Sequence, residues 1–373
     1  IHLMINSRGY SISKDDTRIP SEGIEKALVV KPMVYSTGGG RKGFRQSEND
    51  KFSVYRESTK RYYMPRVYGI EKYGKPTHDM FEGRYVHLDD NVCEFKGDLR
   101  EHQIESVSRI QKNYSSVGSC LLCLPCGYGK TVIGLYIASA LKVKTLVVVH
   151  KEFLLNQWKE RIKEFLPDAK IGRLQSNIIH IEGYDIVIGM LQSISMIEYD
   201  NSIFDKFGFV IYDECHHLGA EVFFKSMQKV ASANMLGLSA TPKRKDGLQW
   251  VFESFIGPIV YQTKEVVTDG VEVNVIDYYS DNSDYCKECL NYMKTPILPK
   301  MINNICAYQP RTEIILDLSK KYYEMGRKVI ILSDRRNHLD MMLAWLNHQN
   351  IPSGLYVGGM KPFDLHESQE KDV

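Results

Sequence analysis

The sequence predicts an α/β protein built around a parallel β-sheet, and three features of the chain support this fold class. Near-continuous runs of Val, Ile and Leu recur along the chain, for example at 144–150, 184–190 and 207–212. Amphipathic helical patterns such as 153–165 separate these runs. A glycine-rich turn joins the apolar run at 121–124 to the helical pattern that follows it. Buried strands that alternate with helices are typical of parallel sheets covered on both faces.

Length and composition limit the classes of protein to which the chain can belong. Its 373 residues exceed one ordinary hydrophobic core, so about two or three domains are expected. Charged residues make up 25% and hydrophobic residues 43%, as in globular rather than disordered or membrane proteins. The net charge of +2 gives no global sign of nucleic-acid binding, so such a surface would have to be local. No signal peptide is evident, and because the chain begins with Ile1 we expect the natural N-terminus to lie upstream.

The eight cysteines predict free thiols in a reducing, intracellular compartment. Cys120, Cys123 and Cys126 have the spacing of metal ligands, but they run through a predicted strand and loop. Thiolates converging on one ion there would leave no room for a phosphate. Cys286 and Cys289 form a lone Cys-x-x-Cys without a second pair nearby, so a zinc site is not expected.

Residues 1–96 are expected to form a small mixed α+β domain ahead of the sheet. The first part is rich in Gly, Ser and charge, which indicates a loop or linker. Its basic cluster of Arg41, Lys42 and Arg45 is either a solvated loop or a phosphate contact. Residues 51–73 interleave aromatic and basic side chains. That pattern fits contact with a nucleic acid, and it fits a half-buried sheet with a basic outer face equally well.

The stretch 121–131 has the features of a phosphate-binding loop. Gly127 and Gly129 would let the backbone approach phosphate oxygens, and the next helix would direct its N–H groups and positive dipole end at them. Lys130 would place a charge on the β- and γ-phosphates, and the Thr131 hydroxyl would take a Mg²⁺ position. A leucine stands where the usual pattern has its first glycine. The alternative is an ordinary strand-to-helix turn that contains Gly-Lys-Thr.

An acidic pair follows the strand predicted at 207–212, in the sequence Asp-Glu-Cys-His. Asp213 can hold Mg²⁺, largely through water, and Glu214 can orient or deprotonate the water that attacks a γ-phosphate. His216 could then report the phosphate state to its surroundings. Alone, these residues could equally be the acidic start of a helix. Their position about 80 residues after the phosphate loop favours the nucleotide site.

A further strand is predicted at 235–241, and it ends in Ser239, Ala240 and Thr241 before a proline. Hydroxyl residues beside a catalytic carboxylate can relay a change at the phosphate into a loop movement. The alternative is a strand end that stops at a proline turn.

The order of these motifs resembles superfamily 2 helicases of the DEAD/DEAH type. Residues 124–131, 213–216 and 238–242 are similar to motifs I, II and III of that family. The Leu-Pro-Cys-Gly-x-Gly-Lys form, the segment 150–158 and the segment 239–247 are most similar to XPB-type DNA helicases and to their relatives in large DNA viruses, including poxvirus-like transcription helicases. The resemblance covers 97–262 well and 311–373 in part.

The resemblance implies a set of site residues. Arg100 and Gln103 would face the adenine side of ATP. The residues implied around the phosphates and Mg²⁺ are Pro125, Cys126, Gly127, Tyr128, Gly129, Lys130, Thr131 and Asp213, with Glu214 and His216 as catalytic neighbours and Ser239, Ala240 and Thr241 as coupling residues. The residues implied in nucleic-acid contact are His150, Lys151, Gln157, Gly189, Gln192, Ser193, Ser333 and Arg335.

The resemblance also implies tandem RecA-like lobes, the second of them incomplete. We expect the N-terminal domain at 1–96, the first lobe at 97–262, a linker and insertion at 263–310, and the start of the second lobe at 311–373. In the later segments we predict strands at 271–279 and 354–359, a helix end followed by a strand at 327–335, and helices at 285–293 and 338–346. The sequence ends before motif V and contains no Gln-x-x-Gly-Arg, which in the family supplies arginines to the γ-phosphate. We therefore expect the chain to bind ATP and DNA but to hydrolyse ATP poorly.

The function implied is that of an ATP- and Mg²⁺-dependent DNA helicase or translocase in viral transcription, replication or repair. The expected partners are DNA and the transcription machinery, without a membrane, and the expected location is a viral factory or the virion. One alternative is a double-stranded DNA translocase that does not separate strands. Another is a non-hydrolysing DNA-binding module or one half of a two-chain motor. DNA is favoured over RNA through the resemblance alone, since backbone contacts do not distinguish them.

Overall fold

The computed structural model describes most of the chain. The described residues are 3–6, 8–16, 21–31, 33–36, 43–46, 51–81, 83–114, 118–214, 220–240, 248–263, 272–358, 360 and 368. Arg41, Lys42, His216 and Thr241 lie outside them, as does the side chain of Arg45. The chain divides into two compact units, 1–267 and 268–373.

A five-stranded sheet with the order β7-β8-β2-β1-β9 begins the first unit. Two short antiparallel pairs, β3 with β6 and β4 with β5, accompany it. The elements are β1 (Met4–Asn6), β2 (Gly9–Ser13), α1 (Ser21–Leu28), β3 (Val29–Val30), β4 (Met33–Ser36), β5 (Gly43–Gln46), β6 (Phe52–Ser53), β7 (Arg56–Glu57), β8 (Arg61–Met64), α2 (Arg66–Tyr73) and β9 (His78–Asp79).

An eight-stranded sheet follows, with the order β13-β12-β14-β11-β15-β16-β10-β17. Its elements are α3 (Glu101–Tyr114), β10 (Ser119–Cys123), α4 (Lys130–Leu141), β11 (Thr145–Val149), α5 (Glu152–Phe165), β12 (Ile171–Gln175), β13 (Ile178–Ile179), β14 (Ile186–Met190), α6 (Leu191–Met196), a 3₁₀ helix (Asn201–Lys206), β15 (Phe209–Tyr212), α7 (Ala220–Met227), β16 (Asn234–Ser239), α8 (Gln249–Ile256) and β17 (Ile259–Gln262). Every neighbouring pair is parallel except β12 with β13. The predicted α/β fold class is therefore confirmed.

The central strands are apolar along their whole length because both faces of the sheet are covered. All residues of β10, β11, β14 and β15 are buried. One face packs against α3, α4 and α5, where Trp158 and Ile162 are fully buried. Each such large side chain contributes about 1.5–3 kcal/mol through burial. The sheet is thus a rigid frame whose carboxyl edge carries the predicted site residues.

The N-terminal sheet shares a hydrophobic core with the opposite face of the large sheet. Tyr10 and Leu28 from the N-terminal part lie in one buried cluster with Phe223 and Phe252 from α7 and α8. Arg66 is 8% exposed. It donates hydrogen bonds from Nη1 to the carbonyl oxygens that precede β16, at 2.6 and 2.8 Å. These contacts favour the half-buried sheet over the nucleic-acid surface as the reason for the aromatic and basic pattern at 51–73.

The described residues of the second unit contain three helices, α9 (Leu298–Ala307), α10 (Gln309–Glu324) and α11 (Arg336–His348). Leu316, Met342, Leu346 and Ile351 form their small core. The helix predicted at 338–346 is confirmed. In the part of the chain given above, no helix combines the length and apolarity that a membrane span requires.

The strands predicted in the second unit are wrong for the described residues of 271–279, 327–335 and 354–359, which form no strand. A strand needs hydrogen-bonded neighbours, and an apolar run does not supply them by itself. The helix predicted at 285–293 is also wrong. The Asn291 side chain accepts the N–H groups of Met293 and Thr295, each at 2.9 Å, and turns the chain there. Asparagine favours such local bonds over helix continuation.

Candidate functional site

The loop between β10 and α4 is open and its backbone is accessible. Gly127 and Gly129 have φ angles of 83° and 79°, in the left-handed region that favours glycine. A Cβ atom added at Gly127 would meet no atom within 4 Å, whereas one at Gly129 would strike the Gln103 side chain. The first glycine therefore leaves the backbone open to a ligand, and the second allows α3 to pack against the loop. Pro125 and Cys126 complete the loop, half-buried and exposed respectively.

The start of α4 is suited to an anion. Its N-cap is Gly129, and no side chain caps the helix. The first N–H groups of a helix have no partner within the helix, and the dipole places partial positive charge there. Lys130 adds a full charge to the same place, and Thr131 follows in the first turn. A phosphate group fits this arrangement of donors.

Lys130 lies between the loop and the acidic pair. Its Nζ donates to the Leu124 carbonyl oxygen at 3.0 Å and forms an ion pair with Glu214 Oε1 at 3.3 Å. The lysine side chain is 9% exposed and that of Glu214 is 18% exposed. Glu214 also has a φ of 49°, which is uncommon for a residue with a side chain. Backbone strain of this kind is found at functional sites.

Asp213 is buried at the end of β15. Its N–H donates to the Val148 carbonyl oxygen at 3.0 Å, and its Oδ2 accepts a hydrogen bond from Trp158 Nε1 at 2.7 Å. The pKa of Asp213 is raised to about 6, chiefly by burial. The bond from Trp158 and the charge of Lys130 act against this rise, whereas the charge of Glu214 adds to it. Ionising this carboxylate therefore costs more than ionising an exposed aspartate.

The oxygen donors of Thr131 and Asp213 are of the kind that Mg²⁺ prefers. Among the described residues, no group of three or more His, Cys, Asp or Glu side chains could hold a metal ion by itself. Mg²⁺ is usually bound by one or two carboxylates together with substrate phosphates and water. The residues therefore fit a Mg²⁺ ion that arrives with a nucleotide.

The segment before α3 lies against the phosphate loop. Gln103 Oε1 accepts the Arg100 N–H at 2.8 Å, and Gln103 Nε2 donates to the Tyr128 carbonyl oxygen at 3.4 Å. His102 donates to the same oxygen at 3.1 Å, and its ring meets the Tyr128 ring edge-on with centroids 5.3 Å apart. His102 is not among the predicted site residues, and the one signal that could have indicated it is its position between Arg100 and Gln103.

Ser239 connects β16 to the phosphate loop. It is 3% exposed, pairs in register with Cys123, and its carbonyl oxygen accepts the Leu124 N–H at 3.0 Å. Ala240 follows at a half-buried position. A displacement of the loop would therefore shift the end of β16, to which it is hydrogen-bonded.

Most of the predicted nucleic-acid residues of the first unit lie near the carboxyl ends of β11 and β14, and Gln157 lies on α5. Gln192 Nε2 donates to the His150 carbonyl oxygen at 3.0 Å, which joins the two segments. Lys151 and Gln157 are exposed, whereas Ser193 Oγ accepts the N–H of a neighbouring loop. Gly189 is buried inside β14, where an added Cβ would lie 2.9 Å from Ile194 Cδ1. Packing therefore explains Gly189 without a ligand.

Two predicted nucleic-acid residues lie in the second unit and bond within it. Ser333 Oγ lies 3.0 Å from His338 Nδ1, and His338 Nε2 lies 3.1 Å from Thr312 Oγ1. Arg335 Nε donates to Asn303 Oδ1 at 2.5 Å. These contacts order the start of α11, and a ligand would have to compete with them.

The chain is similar to several known proteins. A family model described as "Type III restriction enzyme, res subunit" matches residues 96–244. The chain is 33% identical over 385 residues to "Putative ATP-dependent RNA helicase L396" of Acanthamoeba polyphaga mimivirus, covering 100% of this chain and 72% of that protein. It is 33% identical over 220 residues to "DNA 3'-5' translocase XPB2" of Sulfurisphaera tokodaii, covering 57% of this chain and 46% of that protein.

A solved structure, the UvsW helicase from bacteriophage T4, is similar at 15% identity and a TM-score of 0.41, over 58% of this chain and 84% of that chain. A likeness of this size carries no argument about function. The assignment rests on the match of the whole of this chain to 72% of the mimivirus protein, and on the family model, whose range includes the phosphate loop and the acidic pair. Use of ATP and action on nucleic acid follow from it at the level of the family. This chain belongs to the superfamily 2 helicases, in the group that includes XPB-type translocases and viral helicases.

Proposed function

We propose that the chain is the nucleotide-binding part of a DNA helicase that couples ATP hydrolysis to movement along DNA. The observation that carries the proposal is the meeting of Lys130, Asp213 and Glu214 at the carboxyl ends of β10 and β15, beside an open glycine loop. Ligands of α/β sheets bind at this edge. A lysine and two carboxylates there match the needs of phosphoryl transfer.

Each residue has a role in this proposal. The backbone at 127–129 and Lys130 bind the β- and γ-phosphates, and Arg100 and Gln103 face the adenine. Mg²⁺, when bound, neutralises phosphate charge, and Thr131 and Asp213 hold it. Glu214 orients the attacking water. Because Glu214 is paired with Lys130 in the structure, the phosphate must displace that carboxylate from the lysine, and this leaves Glu214 to act on water.

The proposed DNA surface is the edge formed by His150, Lys151, Gln192 and Ser193. The bond from Gln192 to the His150 carbonyl holds the two segments together, so a nucleic-acid backbone can contact both. Gln157 would extend this surface along α5. Ser239 and the segment after it would couple hydrolysis to it through the phosphate loop.

DNA is proposed as the substrate because of the resemblance to XPB-type helicases, and the printed names of the relatives differ on this point. One relative is called an RNA helicase and the other a DNA translocase. We further propose the division into 1–96, 97–262, 263–310 and 311–373, and a setting in viral transcription, replication or repair, which the mimivirus relative supports.

Binding of a fluorescent ATP analogue tests the nucleotide site. Lys130→Ala should weaken binding by at least about 10-fold, because a charge-assisted contact to phosphate is worth at least about 1.5 kcal/mol. Lys142→Ala is the matched control, since this lysine follows the other end of α4 and pairs with exposed Asp90. Equal affinities for the wild type and Lys130→Ala would contradict the proposal.

Competition between DNA and RNA oligonucleotides of one sequence tests the substrate. Lys151→Ala should lower the dependence of DNA affinity on salt by about one counterion. Lys159→Ala, at an exposed position on α5, which Lys151 precedes, is the control and should leave this dependence unchanged. Tighter binding of RNA would overturn the choice of DNA. Displacement of a triplex strand without opening of a forked duplex would indicate a double-stranded DNA translocase instead.

A further inference from the structure

A buried hydrogen bond joins α5 to the carboxylate that follows β15. Trp158 is fully buried, and its indole Nε1–H donates to Asp213 Oδ2 at 2.7 Å. A hydrogen bond to an ionised group is about twice as strong as one between neutral groups. Tryptophan also brings a donor into the core that a phenylalanine would not, so burial of an aromatic ring does not by itself account for this residue.

The indole is fixed by the elements around it. A Cβ atom added at Gly134 of α4 would lie 3.3 Å from Trp158 Cη2 and 3.3 Å from Ile211 Cδ1 of β15. The absence of a side chain at Gly134 therefore lets α4, which begins at Lys130, pack closely on the ring. Because the ring is confined between α4 and β15, the direction of its N–H is confined as well.

The hydrogen bond and the ion pair of Lys130, the nearby cation, are with groups other than Asp213, so the hydrogen bond from the indole matters for the Asp213 carboxylate. The ion pair of Lys130 is with Glu214 Oε1, and its hydrogen bond is with the Leu124 carbonyl. The indole N–H donates directly to Asp213 Oδ2, the backbone N–H of Glu214 also bonds to this carboxylate, and Asp213 is 7% exposed. The indole N–H thus stabilises the ionised carboxylate and fixes which of its two oxygens faces the ring.

We propose that Trp158 is a positioning residue of the nucleotide site, which holds the Asp213 carboxylate in the orientation that Mg²⁺ binding requires. The proposal rests on the function proposed above. Groups that bond to a metal-binding carboxylate fix its orientation, and their loss typically lowers metal affinity or activity by about 10–100-fold. Trp158 would act through Asp213 without touching the nucleotide.

The test compares the affinity of the whole chain for a fluorescent ATP analogue in excess Mg²⁺ and in EDTA. Trp158→Phe removes the N–H and keeps an aromatic ring. The ratio of the affinity in Mg²⁺ to the affinity in EDTA should fall by about 10-fold or more in this variant. The affinity in EDTA should stay unchanged, because the loop and Lys130 are untouched. Trp250→Phe on α8 is the matched control and should leave the ratio unchanged.

A second substitution separates the hydrogen bond from packing. Replacing Trp158 with 3-benzothienylalanine keeps the shape of the indole and exchanges the N–H for sulfur. The same fall in the ratio, with a thermal midpoint like that of the wild type, supports the proposal. The proposal is overturned if the ratio falls in Trp158→Phe but not in the 3-benzothienylalanine variant, or if it falls in neither. A wild type that binds equally with and without Mg²⁺ overturns it too, whereas a wild type that binds no nucleotide defeats the proposed function itself.

Discussion

Similar apolar runs have different structures and burial in the two units of the chain. Residues 145–149 form β11, and each of them is buried. Residues 328–332 have a comparable composition, yet they form no strand, and Ile330 and Leu332 are 83% and 89% exposed. Strand β11 has β14 on one edge and β15 on the other, which supply hydrogen-bond partners along its whole length. Composition favours burial, but paired neighbours decide whether a run becomes a strand.

The units also place titratable groups in opposite situations. Asp213 is a buried acid whose neutral form is favoured in the folded state, and burial raises its pKa. His338 is a buried base whose neutral form is favoured, and burial, followed by the charge of Arg311, lowers its pKa. Lowering the pH therefore neutralises Asp213, which burial favours, and protonates His338, which burial opposes.

The largest expected difference between the units is in amide hydrogen exchange. Amides of β11 should be protected by about 10⁴-fold or more, because they open only with the whole sheet. Amides of 328–332 should exchange within about 10-fold of the rate of an unfolded peptide, because no strand pairs with them. Exchange measured by mass spectrometry on the whole chain gives both values. Strong protection at 328–332 would mean that the segment is paired after all.

Two leucine substitutions test the same contrast through stability. Leu146 is fully buried in β11, so Leu146→Ala should lower the free energy of unfolding by about 2–5 kcal/mol. Leu332 is 89% exposed, so Leu332→Ala should change it by less than about 0.5 kcal/mol. Urea denaturation of both variants provides the measurement. Similar losses would show that the two runs are equally buried in solution.

The remaining expected effects depend on pH. The folded-state pKa of Asp213 is about 6, above its ordinary value of 3.8, so its contribution favours folding at low pH and is lost as the pH rises through about 6. Asp213→Asn should therefore be more stable than the wild type at pH 8, by up to about 3 kcal/mol. This advantage should vanish near pH 4. Thermal unfolding across this range is the measurement, and an advantage independent of pH would contradict the assignment.

His338→Gln is the counterpart in the second unit. Because the folded-state pKa of His338 is lowered below 6.5, its contribution to stability is present above that pH and is lost as the pH falls below it. The variant should lose less stability than the wild type between pH 7 and pH 5. A steeper loss in the variant would show that the protonated histidine is favoured in the fold.

The sequence predicted the first unit well because its signals are local and agree with one another. The runs that became β11, β14 and β15 are long, β-branched and separated by helical patterns. The phosphate loop was predictable because glycines, lysine and helix start occur within a few residues. The strands predicted in the second unit are wrong for its described residues, because pairing depends on partners that a local pattern does not reveal.

The contacts within the site were less predictable than its residues. The motifs identified Lys130 and Glu214 separately, but their ion pair depends on how β10 and β15 bring them together. Trp158 belongs to an amphipathic helix pattern, and nothing in that pattern directs its N–H at Asp213. Likewise, the basic residues at 51–73 had two interpretations until Arg66 was found on the carbonyl oxygens before β16.

The buried position of Arg66 has a consequence for anyone who divides this chain into pieces. A fragment that starts at 97 would leave the carbonyl oxygens of Ser232 and Ala233 without their donor and would uncover Phe223 and Phe252. Such a fragment carries every residue of the phosphate loop, yet its bare apolar face would promote aggregation during expression. Truncations and domain exchanges in this protein should therefore keep residues 1–96 attached to the large sheet.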